Sequence, residues 1–270
     1  MAPVAFFYSN TCGKGMAGVD YHIEIKNQIA TFTMNRPDMR NAINSNVMEG
    51  LEDFVSEVEN NQEISFAVIT GSGEKAFCSG GDLSEFHGFR TAEDAYPMLS
   101  RMAGILYRLS TLPVPVIALV NGAAVGGGCE IASACDYRLV SEKAKAGFIQ
   151  GTLAITSGWG GTTQLIEKMG QHDVVLRFVS EATVLDASSL EAIGWATEQY
   201  EGNGDQALEQ FLGKMSSIHR SVHRAYKSLM IRSWEGKSVR ERMLEEAKQC
   251  ARLWESEAHH EAVARFLGRR

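Results

Sequence analysis

Gly81, Gly127 and Glu130 are the residues of this chain whose types and spacing allow chemistry. Gly81 lies in Ala76-Phe77-Cys78-Ser79-Gly80-Gly81-Asp82, after the apolar run Phe66-Ala67-Val68-Ile69-Thr70. Gly127 is the middle glycine of Gly126-Gly127-Gly128-Cys129-Glu130, after a second apolar run from Val114 to Val120. Each segment puts backbone without a side chain at the carboxyl end of a predicted strand, where an N–H can approach a ligand with no Cβ in the way. Two such donors aimed at one oxygen would form an oxyanion hole, and Glu130, three residues past Gly127, would bring a carboxylate beside it. Taken alone, Gly-rich strand exits are more often tight turns.

The elements that must position these residues follow from periodicity. Tyr21-His22-Ile23-Glu24-Ile25 and Ile29-Ala30-Thr31-Phe32-Thr33-Met34 read as a β-hairpin around Lys26-Asn27-Gln28. Ile43, Val47, Leu51, Phe54, Val55 and Val58, at offsets of 4, 8, 11, 12 and 15, mark one face of a helix. After the strand at Phe66 comes a polar loop, including Phe86 to Pro97, and then a helix facing inward through Leu99, Met102, Leu106 and Leu109. Pro113 and Pro115 stop that helix and bracket the next strand. Strand, helix, strand, helix, strand argues for a parallel sheet covered by helices, with ligands bound outside the carboxyl ends of the strands. Asp186 is placed to cap a helix through Ile193 that Gly194 stops, before a short strand from Trp195 to Tyr200. From Gln206 the chain is predicted helical, with a stripe of Leu244, Ala247, Ala251 and Trp254.

A chain of 270 residues fits one α/β domain with a helical appendage. A formal net charge of -7 disfavours nucleic acid or an anionic membrane as the main partner. The five cysteines (Cys12, Cys78, Cys129, Cys135, Cys250) show no metal-ligand spacing and read as reduced, buried thiols suited to a cytoplasmic location. Residues 1–19 lack the character of a targeting signal and are expected to be a flexible extension. No metal is expected.

Read with their flanks, these segments resemble the crotonase (enoyl-CoA hydratase/isomerase) superfamily. The pattern runs from Asn35-Arg36-Pro37 and Asn41-Ala42-Ile43 through Lys75 to Asp82, then Pro115 to Gly122 and Gly126 to Glu130. Cys135-Asp136-Tyr137-Arg138, Trp159-Gly160-Gly161-Thr162-Thr163 and Asp186-Ala187 with Gly194 complete it. The resemblance implies an α/β, ClpP/crotonase-like fold of stacked ββα units, with a core over 20–200 and a C-terminal helical region over 201–270. It implies a homo-oligomer, a trimer or dimer of trimers, with the C-terminal helices at a subunit contact or back over the site.

It also implies an acyl-CoA lyase that needs no cofactor beyond the coenzyme A thioester it takes as substrate. The N–H groups of Gly81 and Gly127 would hold the thioester enolate, and Glu130 would be the main acid/base. Arg40, Ala42, Ser79, Gly81, Asp82, Leu83 and Gly127 would line the CoA path. One departure stands out. The position of the hydratases' second glutamate, counted back from Gly160, is Gln150, whose amide can position a group but cannot exchange a proton near neutral pH. Gln150, with Glu130 and the Trp159-Gly160-Gly161 block, is similar to the branch that decarboxylates methylmalonyl- or ethylmalonyl-CoA. Hydratase-type and decarboxylase-type chemistry therefore both stand, with the single-carboxylate form preferred, and a CoA-binding protein without turnover is the further alternative. A nucleotide-dependent oxidoreductase is disfavoured because Gly122-x-x-x-Gly126-Gly127-Gly128 lacks GxGxxG spacing. His87 is read as a loop histidine, and a lysine such as Lys248 is a candidate for the CoA phosphate.

Overall fold

A computed structural model describes residues 20–268; the expectations for the first nineteen residues and for Cys12 lie outside them. The predicted hairpin forms as β1 (Tyr21–Lys26) and β2 (Ile29–Met34), paired antiparallel from Tyr21↔Met34 to Lys26↔Ile29. Beside β2 lie β3 (Phe66–Gly71), β5 (Val116–Val120), β7 (Tyr137–Ser141) and β10 (Glu198–Tyr200), all parallel to one another. A second, smaller sheet has the order β4 (Ala76–Cys78), β6 (Ala123–Val125), β8 (Lys145–Gly147) and β9 (Leu185–Asp186). The chain thus repeats one unit: a strand in the large sheet, a short strand in the small sheet, then a helix. This is the expected stack of ββα units.

The repeat corrects the origin of the glycine segments. They leave not the long strands at Phe66 and Val114 but the short strands β4 and β6. Those two pair in parallel, Ala76↔Ala123 and Cys78↔Ala124, so their carboxyl ends lie side by side. On the other flank of β6 runs β8, with Val125↔Gly147, so the chain leaving β8 arrives beside the same ends.

Central strands buried on both faces explain the continuous apolar runs. Ala67 and Ile69 of β3 face the main core with Phe32, Phe54 and Leu106, whereas Phe66 and Val68 face a second cluster with Ile117, Leu119, Leu139 and Leu212. Helix α1 (Ser45–Asn60) buries the predicted face, with Asn44 accepting from Val47 N at 3.0 Å as its cap. Ile43 falls outside that helix, in a bridge to Gly81. The predicted polar loop is shorter than expected. It contains α2 (Leu83–Phe86), and α3 (Ala92–Ser110) begins at a Thr91/Asp94 capping box, so Pro97 lies inside a helix. Asp186 caps α7 (Ala187–Ala192) through Ser189 N at 2.8 Å, and Gly194 adopts φ 75° as its stop.

Between β6 and β7 stands α4 (Gly127–Ala134), and after β8 come α5 (Gly161–Met169) and α6 (His172–Ser180). The C-terminal region forms α8 (Gly204–Gly213), α9 (Arg220–Arg232), α10 (Val239–Trp254) and α11 (Glu257–Leu267). The stripe Ala247, Ala251 and Trp254 joins the main core of the same chain, with Leu244 partly buried against it, and α10 packs along α3. Within the chain, then, this stripe is not free for an oligomer contact. Cys78, Cys129, Cys135 and Cys250 are free and buried, as expected. Among the described residues no helix is long and apolar enough to cross a membrane, and no group of side chains could hold a metal ion.

Candidate active site

Glu130 lies in the first turn of α4 and is 2 % exposed. Its Oε2 accepts the N–H groups of Trp159 (2.8 Å) and Gly161 (2.9 Å). Its Oε1 accepts Gly158 N at 3.3 Å and Gln150 Nε2 at 2.9 Å. Gly161 is required for this approach, since a Cβ there would fall 2.5 Å from Glu130 Cγ. Gln150 opens a short 3-10 turn (Gln150–Leu153) just after β8, and so meets Glu130 as the small sheet's register demands. Its Oε1 is buried and unpartnered.

Gly81 and Gly127 meet as well. A Cβ on the adjacent Gly80 would lie 3.2 Å from Gly127 N. The Trp159 indole spans both glycines: a Cβ at Gly81 would lie 3.6 Å from its Cζ2, and one at Gly127 only 2.1 Å from its Cζ3. Among the described residues neither Gly81 N nor Gly127 N donates to a backbone carbonyl. The neighbouring bonds, Ile43 N to Gly80 O and Asp82 N to Ile43 O at 2.8 Å each, fix the Gly81 peptide without using its N–H.

Burial pushes the Glu130 pKa up to about 8, helped by the charge of Glu246 on α10, while the amides of Gly161, Trp159 and Gly158 pull the other way. The expectation of a lone acid is thus corrected, because Glu246 is a second carboxylate in electrostatic reach. No sequence signal pointed to it; it is one of several acidic residues in a charged helix.

The far end of α4 is held equally firmly. Lys168 Nζ donates to the carbonyls of Ser133 (2.9 Å), Ala134 (2.7 Å) and Cys135 (3.0 Å), and buried Arg138 donates to Cys135 O at 3.0 Å and to Trp195 O. Burial pulls Lys168 down to about 7.

Arg40, Ala42, Ser79, Asp82 and Leu83 lie in the two segments joined by the Ile43–Gly81 bridge. Ser79 N donates to Arg40 O at 3.1 Å, and Ala42 O accepts Arg36 Nη1 at 2.7 Å. The Asp82 side chain faces the scaffold, paired with Arg36 at 2.8 Å and capping α2 through Ser84 N at 2.9 Å. Leu83 O accepts from His87 Nδ1 at 2.7 Å, which ties that exposed histidine to its own turn. Lys248 pairs with Glu245 at 3.6 Å. A separate cavity opens between the hairpin and α8, lined by Ile29, Thr31, Leu208 and Leu212 with Glu24 and Asp205; none of the predicted site residues borders it.

Stacked ββα units of this kind define the crotonase class of fold. The chain belongs to the enoyl-CoA hydratase/isomerase family, whose model matches residues 24–270. It is 41% identical over 153 residues to a short-chain-enoyl-CoA hydratase of Clostridium acetobutylicum, covering 55% of this chain and 56% of that protein. It is 34% identical over 249 residues to an ethylmalonyl-CoA decarboxylase of Mus musculus, covering 89% of this chain and 75% of that protein. The aligned stretch spans only 56% of each of two bacterial relatives, the clostridial hydratase and a putative enoyl-CoA hydratase/isomerase of Bacillus subtilis. Among solved structures, an enoyl-CoA hydratase from Bacillus halodurans superposes with a TM-score of 0.83 at 18% identity, over 91% of this chain and 99% of that one, which shows the fold.

Proposed function

We propose that this chain is a CoA-thioester lyase that decarboxylates a short malonyl-type thioester, of the methylmalonyl- or ethylmalonyl-CoA kind. The observation that carries this reading is the Gln150 amide donating to Glu130 at 2.9 Å, where hydratase chemistry would need a second carboxylate. The Glu130 carboxyl beside that amide is deeply buried, and burial with the charge of Glu246 raises its pKa and favours the protonated form. A protonated acid suits a reaction that ends by giving a proton to carbon. It does not suit one that begins by taking a proton from water.

In the proposed reaction the N–H groups of Gly81 and Gly127 receive the thioester oxygen. The bond between the α-carbon and the substrate carboxylate breaks, CO2 leaves, and the electron pair becomes the thioester enolate. The two amides and the positive end of α4 hold the charge that develops on oxygen. Glu130 then transfers its proton to the α-carbon, giving the shorter acyl-CoA, and regains a proton from solvent. Gln150 Oε1, buried and without a donor, would be available to orient a group beside Glu130. Arg40, Ala42, Ser79 and Leu83 would border the CoA on its way in. The coenzyme A thioester is the substrate, and no other cofactor enters the scheme.

Hydration of a short enoyl-CoA is the second reading, favoured by the higher identity to the clostridial hydratase over half the chain. Incubating the protein with ethylmalonyl-CoA, methylmalonyl-CoA and crotonyl-CoA separates the two. CO2 release from a malonyl-type thioester is expected, with crotonyl-CoA left unhydrated; hydration at ordinary rates without CO2 release ends the decarboxylase reading. The protein is also proposed to work as a homo-oligomer, a trimer or dimer of trimers. Supporting this is a stripe on α9, Val222, Tyr226, Leu229 and Met230, that stays exposed at helical spacing.

A further inference from the structure

The C-terminal helix α10 brings Glu246 to the start of α5, next to the amides that hold Glu130. Glu246 Oε1 accepts Ser157 Oγ at 2.5 Å and Thr162 N at 3.0 Å. Its Oε2 accepts Thr163 N at 2.9 Å and Thr163 Oγ1 at 2.7 Å. The preceding amide, Gly161 N, goes to Glu130 instead. The segment from Ser157 to Thr163 is therefore divided between two carboxylates on different helices. Glu130 takes the N–H groups of 158, 159 and 161, and Glu246 takes those of 162 and 163 with the Ser157 hydroxyl.

We propose that Glu246 is a positioning residue for Glu130, which clamps the 157–163 segment and keeps the proton of the pair on Glu130. This rests on the reading of Glu130 as the proton donor. A bare capping role accounts for the bonds to the start of α5 but not for the placement of a second negative charge behind a buried acid. Two carboxylates on adjoining amides of one segment cannot both ionise without cost. Each carboxylate accepts four donors and burial raises both, but Glu130 is the more deeply buried of the two, so the shared proton resides on Glu130. The other titratable groups that face the pair are the thiols of Cys129 on α4 and Cys250 on α10. Burial raises both, so they stay neutral and add no charge. The arrangement makes the C-terminal helices part of the acid's environment although they supply no group that touches the reacting carbon.

The test is Glu246→Gln, which retains an oxygen for the cap and removes the charge, beside Glu246→Asp, which keeps the charge. The Glu130 carboxyl is followed by 13C NMR in glutamate-labelled protein, assigned with Glu130→Gln. Glu246→Gln should lower the Glu130 pKa by on the order of one pH unit, while Glu246→Asp leaves it close to wild type. Ser157→Ala, which removes one donor from Glu246, should move it the same way by less, and covers the case in which Glu246→Gln does not fold. An unmoved Glu130 titration in Glu246→Gln, or in Ser157→Ala where that is the variant that folds, overturns the proposal and leaves Glu246 a helix cap. The pH profile of kcat/KM, measured alongside, judges the other reading: if the NMR pKa moves and the profile does not, Glu130 is not the proton donor but Glu246 still sets its proton affinity.

Discussion

Replacing Gly127 by alanine tests the convergence on which the site depends. Gly127 is the first residue of α4, and a Cβ there would fall 2.1 Å from Trp159 Cζ3 and 2.4 Å from Cη2, where one of the two groups must move. The indole is 4 % exposed and also covers Gly81, and its own backbone N–H holds Glu130 at 2.8 Å. Overpacking of this kind costs about 1–3 kcal/mol. Alanine's better helix propensity offsets at most about 1 kcal/mol of that. The net loss, about 0–3 kcal/mol, should lower Tm by up to roughly 12 °C in a chain of this length. Catalysis should suffer more, because displacing one oxyanion donor lowers kcat by about 10²–10³-fold. The assay is CO2 release from ethylmalonyl-CoA beside a thermal melt, with Gly127→Ala/Trp159→Leu as the relieved double variant. The double variant should regain the packing loss relative to Trp159→Leu alone. If Gly127→Ala keeps kcat within about threefold and melts like wild type, the indole does not confine this peptide and its N–H is not used.

Four further outcomes follow from the same geometry. Glu130→Gln should cut turnover by about 10²–10⁴-fold with thioester binding retained, since only proton transfer is removed; equal activity in the two proteins sinks the assignment. Because folding raises the Glu130 pKa from 4.5 to about 8, the native state binds its proton more tightly, so that stability is present at low pH and is lost as pH rises through about 8. Thermal melts of wild type against Glu130→Gln should diverge over that window, and activity that needs the protonated acid should fall along the same limb. Gln150→Glu restores a carboxylate beside Glu130 and should raise crotonyl-CoA hydration while slowing CO2 release; no change in the ratio of the two rates refutes the role given to the amide. Leu229→Glu with Met230→Glu puts charge on the exposed α9 stripe and should reduce the mass found by light scattering, whereas an intact oligomer would exonerate that face.

Much of this was legible in the sequence, and the reasons are local. Strand and helix periodicities located α1, the hairpin and β3, because each buries a face whose pattern is written in consecutive residues. Asp186 and Gly194 marked a helix end to end for the same reason. The small sheet was not legible by pattern, since β4, β6 and β8 are three residues each, too short to show alternation. That is why the glycine segments were attributed to the wrong strands although their convergence was expected. The Trp159 to Thr163 block was visible as a motif, but its use as a row of amide donors was not, because backbone N–H groups carry no residue type. Lys168 and Glu246 act across 33 to 35 and 83 to 89 residues of chain, beyond any spacing rule.

The two ends of α4 bear on one another through Glu130. Arg138, and Lys168 in the ammonium form that its three donated bonds require, place positive charge on the carbonyls at its carboxyl end, an arrangement that stabilises a helix by about 0.3–1 kcal/mol, and more when partly buried. With that end anchored, Gly127 N–H is held in place before any charge appears on a ligand, which is what gives a fixed donor its value. An ionised Glu130 in the first turn would already satisfy the positive end of the helix and would compete with an enolate oxygen for it. A neutral Glu130 does not. Burial and the charge of Glu246 favour the neutral form, which in the proposed reaction leaves the helix field for the oxygen while the enolate forms. In that scheme, once the proton moves to carbon, the Glu130 carboxylate would take over the field as the enolate charge disappears. In the proposed reaction negative charge thus passes from the enolate oxygen to Glu130, and these two groups at the α4 amino terminus never carry it together.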